Sequence, residues 1–146
     1  MIVKIKHLRN KNIDLAMVDG GFDPLHDGHI RYFKKSREKF NNCKIVCCLA
    51  SDKYIKKKHK VFLNQNRRSI IIDSIKYIDF VIKSDITTAH VLKIIKPKYY
   101  IKGIEWKNKL PKKEIEICKE NKIKIIYLNT RKSSSTKLLN SYVKKN

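Results

Sequence analysis

Apolar runs alternate with amphipathic stretches along almost the whole chain, and this rhythm restricts the fold more than any other feature. "IDLAMVD" (13–19) is a continuous apolar run that ends at Gly20. "GHIRYFKKSREKF" (28–40) then spaces Ile30, Phe33 and Phe40 among charges, with Tyr32 beside them, as an amphipathic helix does. "KIVCCLA" (44–50), "DFVIK" (79–83), "KYYIKG" (98–103) and "IKIIYLN" (123–129) are further strand-like runs. Helical stretches fall between and after them: 64–78 with Asn64 as its cap, 87–96 stopped by Pro97, 111–122 with Pro111 in its first turn, and 134–145 with a serine cap. Only 51–64 is basic and irregular. Strands that read as unbroken apolar runs belong in a sheet buried on both sides. The alternation predicts an α/β fold: one domain over 13–146, a five-stranded parallel sheet with helices on both faces, and an N-terminal extension over 1–12.

In such sheets ligands bind beyond the carboxyl ends of the strands, near the switch in strand order. Four turns follow strands and are expected to face one cleft: the segment from Gly20, the loop after "CCLA", the "KG" turn at 102–103, and "RKSSST" (131–136).

Composition removes several classes. No apolar run approaches the roughly 20 residues that span a bilayer, and the start "MIVKIKHLRNKN" carries too short an apolar patch for a secretory signal. The cytoplasm is the default expectation. Cys43, Cys47, Cys48 and Cys118 show neither metal spacing nor a C-x-x-C pair and read as reduced, structural thiols. The net charge of +22 suits polyanions, nucleotides included. Yet of the 35 basic residues only Arg9, Arg31, Arg37, Arg67, Arg68 and Arg131 are arginine, and the lysines are spread over every segment. A surface dedicated to nucleic acid favours arginine forks on a localised stripe, so specific nucleic-acid binding is not expected.

"GGFDPLHDGHI" (20–30) gathers three of the chain's four glycines and two of its five histidines. Gly20 and Gly21 let a ligand approach the main chain directly after a strand. Gly28 removes a side chain where a helix begins, and a helix start favours anions. His26 and His29, spaced i, i+3, project to one side of a first helical turn and can donate to phosphate oxygens. A simple turn remains an alternative, as does a His/Asp metal site drawing on Asp23 or Asp27. No Gly-Lys-Ser/Thr follows, so this is not a Walker loop, and the glycine spacing is not that of the dinucleotide fingerprint.

With those residues in view, "GGFDPLHDGH" strongly resembles the G-x-F-D-x-x-H-x-G-H signature of the cytidylyltransferase-like nucleotidyltransferases, and looks closest to the small members that act on sugar or polyol phosphates. The resemblance runs along nearly the whole chain from about Ile13. "NRRSIIIDSIKYIDFVI" resembles the family's arginine-led helix, with Arg68 the better match and Arg67 beside it. "KPKYYIKGIEW" resembles the segment that ends in a Gly-Asp-Trp or Lys-Gly-Gly-Asp-Tyr turn, and "SSSTKLL" the closing Ser-Ser-Thr helix start. The resemblance implies a Rossmann-like domain in which His26 and His29 contact the triphosphate and stabilise the transition state. It implies that Gly20, Gly21, Phe22, Asp23 and Gly28 shape the nucleotide site. It further implies that Lys102, Gly103 and Trp106 frame base or ribose, and that Ser134, Ser135 and Thr136 bind phosphate from a second helix start. One of the loop lysines Lys56, Lys57, Lys58 and Lys60 would clamp phosphates, the resemblance not fixing which; Lys58 stands for it in the catalytic set, which Arg68 would join. A homodimer is an expectation of the same kind. Two departures stand out: Ile104 precedes Glu105 where the family often has acids after the glycine, and the turn before "SSST" is short and lacks the usual glycine.

The implied reaction needs no general base. A phosphate monoester has a second pKa near 6 and is mostly a dianion at pH 7. It can attack the α-phosphorus of a nucleoside triphosphate in line and expel pyrophosphate, so catalysis reduces to positioning and charge stabilisation by histidines, lysines, helix starts and Mg²⁺ carried by the nucleotide. The expected partners are CTP, or ATP as the alternative, and a small phosphorylated polyol or sugar such as glycerol 3-phosphate or a heptose phosphate. A basic nucleic-acid-binding module is the reading from a different class. "HDGH" and "RKSSST" also echo the class I aminoacyl-tRNA synthetase motifs, but 146 residues leave no room for their further domains. His7, His59 and His90 read as surface or packing residues, Tyr99 and Tyr100 as strand residues. Trp106 is split between base contact and local packing, and Asp23 between orienting Mg²⁺ or lysine and capping a turn.

Overall fold

Six strands, all paired in parallel, make the sheet in the computed structural model, which describes residues 1–9, 12–130 and 135–143, with the backbone alone at 135 and 136. They are β1 (Ile2–Val3), β2 (Leu15–Gly20), β3 (Lys44–Leu49), β4 (Phe80–Lys83), β5 (Tyr99–Gly103) and β6 (Lys124–Leu128), in the order β1-β4-β3-β2-β5-β6. The helices are α1 (Asp27–Lys39), α2 (Asp52–Ile55), α3 (Gln65–Asp73), α4 (Thr88–Ile95), α5 (Lys112–Glu120) and α6 (Ser135–Val143).

The sixth strand corrects the expected five. β1 runs beside β4 with Ile2 opposite Val81 and Val3 opposite Ile82, and Val81 N–H donates to Met1 O at 3.0 Å. Two residues carry no periodicity, so no pattern in "MIVKIK" announces them. Leu8, from the same segment set aside as an extension, is fully buried in the core. The basic stretch 51–64 also holds the one-turn α2, capped by Ser51 Oγ, which accepts from Tyr54 N–H at 3.3 Å.

Side chains alternate between two cores, as a pleated sheet requires. Leu15 and Met17 of β2 join Val46 and Cys48 of β3 on the face covered by Val91, Leu92 and Ile95 of α4 and Ile117 and Cys118 of α5. Ala16 and Val18 join Ile45, Cys47 and Leu49 on the other face, under Phe33 of α1 and Ile72 of α3. All four cysteines are buried free thiols, and burial pushes Cys48 up to about 12, so these thiols serve packing. The helix ends carry their own punctuation. Asn64 Oδ1 accepts from Arg67 N–H at 3.0 Å, and Thr87 Oγ1 from His90 N–H at 3.3 Å. α4 stops at Lys96, held left-handed at φ 44°, one residue before Pro97.

The chain winds from β2 outward to β3 and β4, then crosses to β5 on the opposite flank of β2. The switch point lies between the carboxyl ends of β2 and β5, and a cleft of about 940 Å³ opens there.

Candidate active site

The turn from β2 into α1 builds one end of the cleft. Phe22 sits in left-handed backbone at φ 51°, and its ring lies so close over Gly20 that a Cβ there would stand 2.9 Å from Phe22 Cζ. Glycine at 20 is therefore a packing requirement. The Phe22 ring meets His29 edge-on at 4.9 Å and Phe33 at 5.0 Å, which pins the turn to the core. The buried Asp23 carboxylate accepts from Phe62 N–H and Leu63 N–H, each at 2.8 Å, tying this turn to the loop before α3.

His26 is the N-cap of α1. Its Nδ1 accepts from Gly28 N–H at 3.1 Å, while His29 Nδ1 accepts from His26 N–H at 3.3 Å. The two histidines form a reciprocal cap, a role usually filled by Ser and Glu. The rings stack with centroids 3.7 Å apart and planes 21° from parallel. A ring nitrogen that accepts an N–H carries no proton, so each neutral ring holds its proton on Nε2 and is a donor there. Burial lowers His26 below the ordinary imidazole value; burial, together with His26 beside it, takes His29 down to about 3. Both rings are thus neutral near pH 7. Of the groups the metal alternative would draw on, both Nδ1 atoms accept backbone N–H groups, Asp23 accepts from backbone, and Asp27 pairs with Arg31 at 2.6 Å. Among the described residues no group of three or more His, Cys, Asp or Glu is placed to hold a metal ion.

Arg68, expected in the catalytic set, lies behind the cleft. It is 1% exposed and does not line the cleft. Its Nε donates to Leu63 O at 2.8 Å, one terminal nitrogen to Gly21 O at 2.7 Å and Ala50 O at 2.9 Å, and the other to Asp52 Oδ1 at 2.5 Å. A guanidinium committed to three carbonyls and a carboxylate is a strut that fixes the loops after β2 and β3. Asp23, likewise, is a brace between loops. Of the loop lysines, Lys57 and Lys58 line the cleft and Lys56 and Lys60 do not; Lys58 Nζ stands 4.8 Å from the Tyr54 ring centroid.

The other end of the cleft is assembled from distant segments. Lys102, only 6% exposed, donates from Nζ to Asp19 Oδ1 at 2.7 Å, and Thr88 Oγ1 donates to Asp19 Oδ2 at 3.1 Å. The Lys102 ammonium lies 4.3 Å from the Trp106 ring centroid and 5.6 Å from that of Tyr100. Tyr100 OH donates to Glu114 Oε2 at 3.0 Å. Burial and the nearby Asp19 charge raise Glu114 above the usual carboxylate range. Lys102, expected to frame base or ribose, lines the cleft as an almost wholly buried group beside Trp106.

His26, His29, Lys58, Gly20, Gly21, Phe22, Gly28, Lys102, Gly103 and Trp106 all line this one cleft; Arg68 and Asp23 stand behind it. Ser134 lies outside the described residues, as do the side chains of Ser135 and Thr136. Asp19, Thr88 and Glu114 also line it, as does His90, expected from the sequence to be a surface or packing residue. Thr87 and Thr88 at the start of a helix that follows a strand were the available signal. Nothing local marks Glu114.

The cytidylyltransferase-like family model matches residues 17–141. The bifunctional protein HldE of Nitratiruptor sp. is 32% identical over 111 residues, which is 75% of this chain and 24% of that protein. The FAD synthase of Aciduliprofundum boonei is 27% identical over 128 residues, covering 84% of this chain and 82% of that protein. The chain thus spans about a quarter of the length of the HldE relatives it matches. Among solved structures, the lipopolysaccharide core biosynthesis protein of Thermoplasma volcanium superposes with a TM-score of 0.67 at 24% identity, over 83% of this chain and all of that one, which shows the fold. No described helix is long and apolar enough to cross a membrane. The matched region holds both the strand–turn–helix unit of His26 and His29 and the β5 turn at Lys102, and the chain belongs to the cytidylyltransferase-like family.

Proposed function

We propose that the chain transfers a nucleoside monophosphate from a nucleoside triphosphate to a phosphate monoester, releasing pyrophosphate. The observation that carries this reading is the stacked His26–His29 pair, which lines the cleft at the start of α1 and whose tautomers leave each ring proton on Nε2. Neutral donors at a helix start stabilise phosphate oxygens without requiring a fixed cation. A dianionic phosphate oxygen attacks the α-phosphorus; the new P–O bond forms as the bond to the bridging oxygen breaks, and pyrophosphate leaves with the negative charge. No side chain has to take a proton. Lys57 and Lys58 at the rim offset the charge that accumulates, and Mg²⁺ enters as part of the nucleotide substrate.

The sequence alone placed CTP ahead of ATP. The relatives favour the reverse order: the HldE likeness supports a sugar-phosphate adenylyltransferase, and the FAD synthase is named for a dinucleotide whose second half is adenylate. We therefore place ATP first and CTP second, with a phosphorylated sugar or polyol as acceptor. The test is a pyrophosphate-release screen that crosses four nucleoside triphosphates with glycerol 3-phosphate, hexose and heptose 1-phosphates and FMN. Release with one nucleotide and one ester, abolished when the ester is omitted, is the expected result. Silence across every nucleotide, with salt-sensitive retention on DNA or RNA, would replace the proposal with the binding-module reading.

A further inference from the structure

The cleft is chemically lopsided. One end is an anion end of imidazoles and lysines. The other end gathers Asp19, Glu105, whose carboxylate lies against Gly103, and Glu114, although the chain holds only 13 acids against 35 basic residues. Carboxylates facing a space meant for phosphates are electrostatically adverse unless they meet a donor there.

Asp19 is already spoken for. Its Oδ1 takes the Lys102 ammonium and its Oδ2 the Thr88 hydroxyl. Glu114 is different: Tyr100 OH fixes its Oε2 at 3.0 Å, while Oε1 has no protein partner among the described residues. The carboxylate is oriented by one oxygen and leaves the other to accept. A carboxylate oxygen can accept from a cation or from a neutral hydroxyl. Aromatic rings beside a carboxylate usually suggest a cationic ligand. Here that position is taken by the protein itself, because the Lys102 ammonium lies against Trp106 and Tyr100 and pairs with Asp19. A second cation beside Lys102 would be repelled. A hydroxyl would not, and Thr88 already shows a hydroxyl satisfied by a carboxylate in this corner.

Resting on the transferase reading above, we infer that Glu114 is the specificity-determining residue for the acceptor: held by Tyr100, it accepts a hydrogen bond from a hydroxyl of a polyhydroxylated phosphate ester and disfavours esters with a cationic head. Tyr100 is the positioning residue behind it.

The test compares wild type with Glu114→Gln on glycerol 3-phosphate and glucose 1-phosphate, on their counterparts propane-1,2-diol 1-phosphate and 2-deoxyglucose 1-phosphate, and on phosphoethanolamine. Gln keeps the shape and can still accept from Tyr100, but it turns a donor toward the acceptor. A hydrogen bond to a charged group corresponds to an acceptor KM raised on the order of 10- to 100-fold, with the KM for the nucleotide unchanged. The penalty should shrink on the deoxy counterpart. Tyr100→Phe, which deletes one hydroxyl from the interior, should raise the acceptor KM by less, and it carries the test should Glu114→Gln fail to fold, as read by thermal shift with nucleotide. An unchanged acceptor KM, an equal rise in both KM values, or phosphoethanolamine as the best wild-type acceptor would overturn the inference while leaving the transferase reading intact. A wild type that releases pyrophosphate with no ester at all brings down that reading, and this one with it.

Discussion

The two ends of the cleft are built in opposite ways. The phosphate end comes from one continuous stretch, β2 through the first turn of α1, in which His26 and His29 cap the helix and each other over three residues. The carboxylate end comes from four separated places: Asp19 on β2, Thr88 on α4, Tyr100 and Lys102 on β5, and Glu114 on α5. A local constellation depends on backbone geometry that adjacent residues set among themselves. An assembled one depends on strand register, here Val18 opposite Ile101, which brings the ends of β2 and β5 side by side. Substitutions at the first end should change chemistry while leaving the fold alone; substitutions at the second should change both.

The largest expected effect tests one of the two places where the phosphate end does rely on distant segments, the other being the Asp23 brace to the loop before α3. Arg68→Met removes the guanidinium that satisfies Gly21 O, Ala50 O and Leu63 O and faces Asp52. Breaking a buried charge that serves several partners costs about 3–5 kcal/mol. Urea unfolding should register a loss of that size, together with impaired nucleotide binding. A variant of wild-type stability would show that the loops after β2 and β3 hold their shape without the strut.

Next in size is His29→Ala. Loss of a transition-state donor should lower kcat on the order of 10²–10³-fold, as for an oxyanion-hole donor. Stability should fall by only about 1 kcal/mol, the ordinary value of a helix cap. A purified, folded variant with wild-type turnover removes His29 from the chemistry.

Smaller again is Asp19→Asn, which keeps an acceptor for Lys102 and Thr88 but deletes the charge. With Lys102 so deeply buried, we expect about 1–3 kcal/mol of destabilisation. Its effect on acceptor KM should be non-additive with Glu114→Gln, because the two carboxylates influence one another, whereas His29→Ala and Glu114→Gln should combine additively. Additivity in every pair would mean that the assembled end is not one unit.

That contrast also explains what was legible. The sheet, its parallel sense and five of its strands follow from apolar periodicity, because each such strand signals its own burial. β1 did not, since two residues show no period and are recruited only once β4 exists to pair with. His26 and His29 were legible because their spacing and their glycines are consecutive. Arg68 was visible as an arginine opening a helix, but whether it faces inward or toward the cleft is decided by loops on three other segments. Lys102 was placed at the right turn, yet its ammonium is claimed by Asp19, a residue 83 positions away in sequence. Glu114 sits in "PKKEIEICKENK" as one acid among lysines, and only Tyr100 and the cleft distinguish it.

The last expected effect is a pH dependence at the phosphate end, and its sign is fixed by the histidine cap. The unfolded chain protonates His29 near 6.5, the folded chain only near 3. Between those values the unfolded state binds more protons, so the ligand-free protein should lose stability as pH falls from about 6.5 toward 3, and this contribution should be level above 6.5. Thermal midpoints measured from pH 8 to pH 5 should fall at the acid end, and His29→Asn should flatten that fall. Nucleotide should leave that protonation state unchanged: neutral Nε2–H donors serve phosphate oxygens as they stand, and a charged ring would put an N–H on the Nδ1 that each cap uses as its acceptor. Calorimetric titrations of ATP at about pH 8, where the nucleotide's own phosphates are fully ionised, should give equal apparent heats in two buffers of different ionisation enthalpy. A buffer-dependent heat, with binding intact, would mean that binding charges a ring and breaks the cap, and the contrast between the two ends of the cleft would have to be drawn elsewhere.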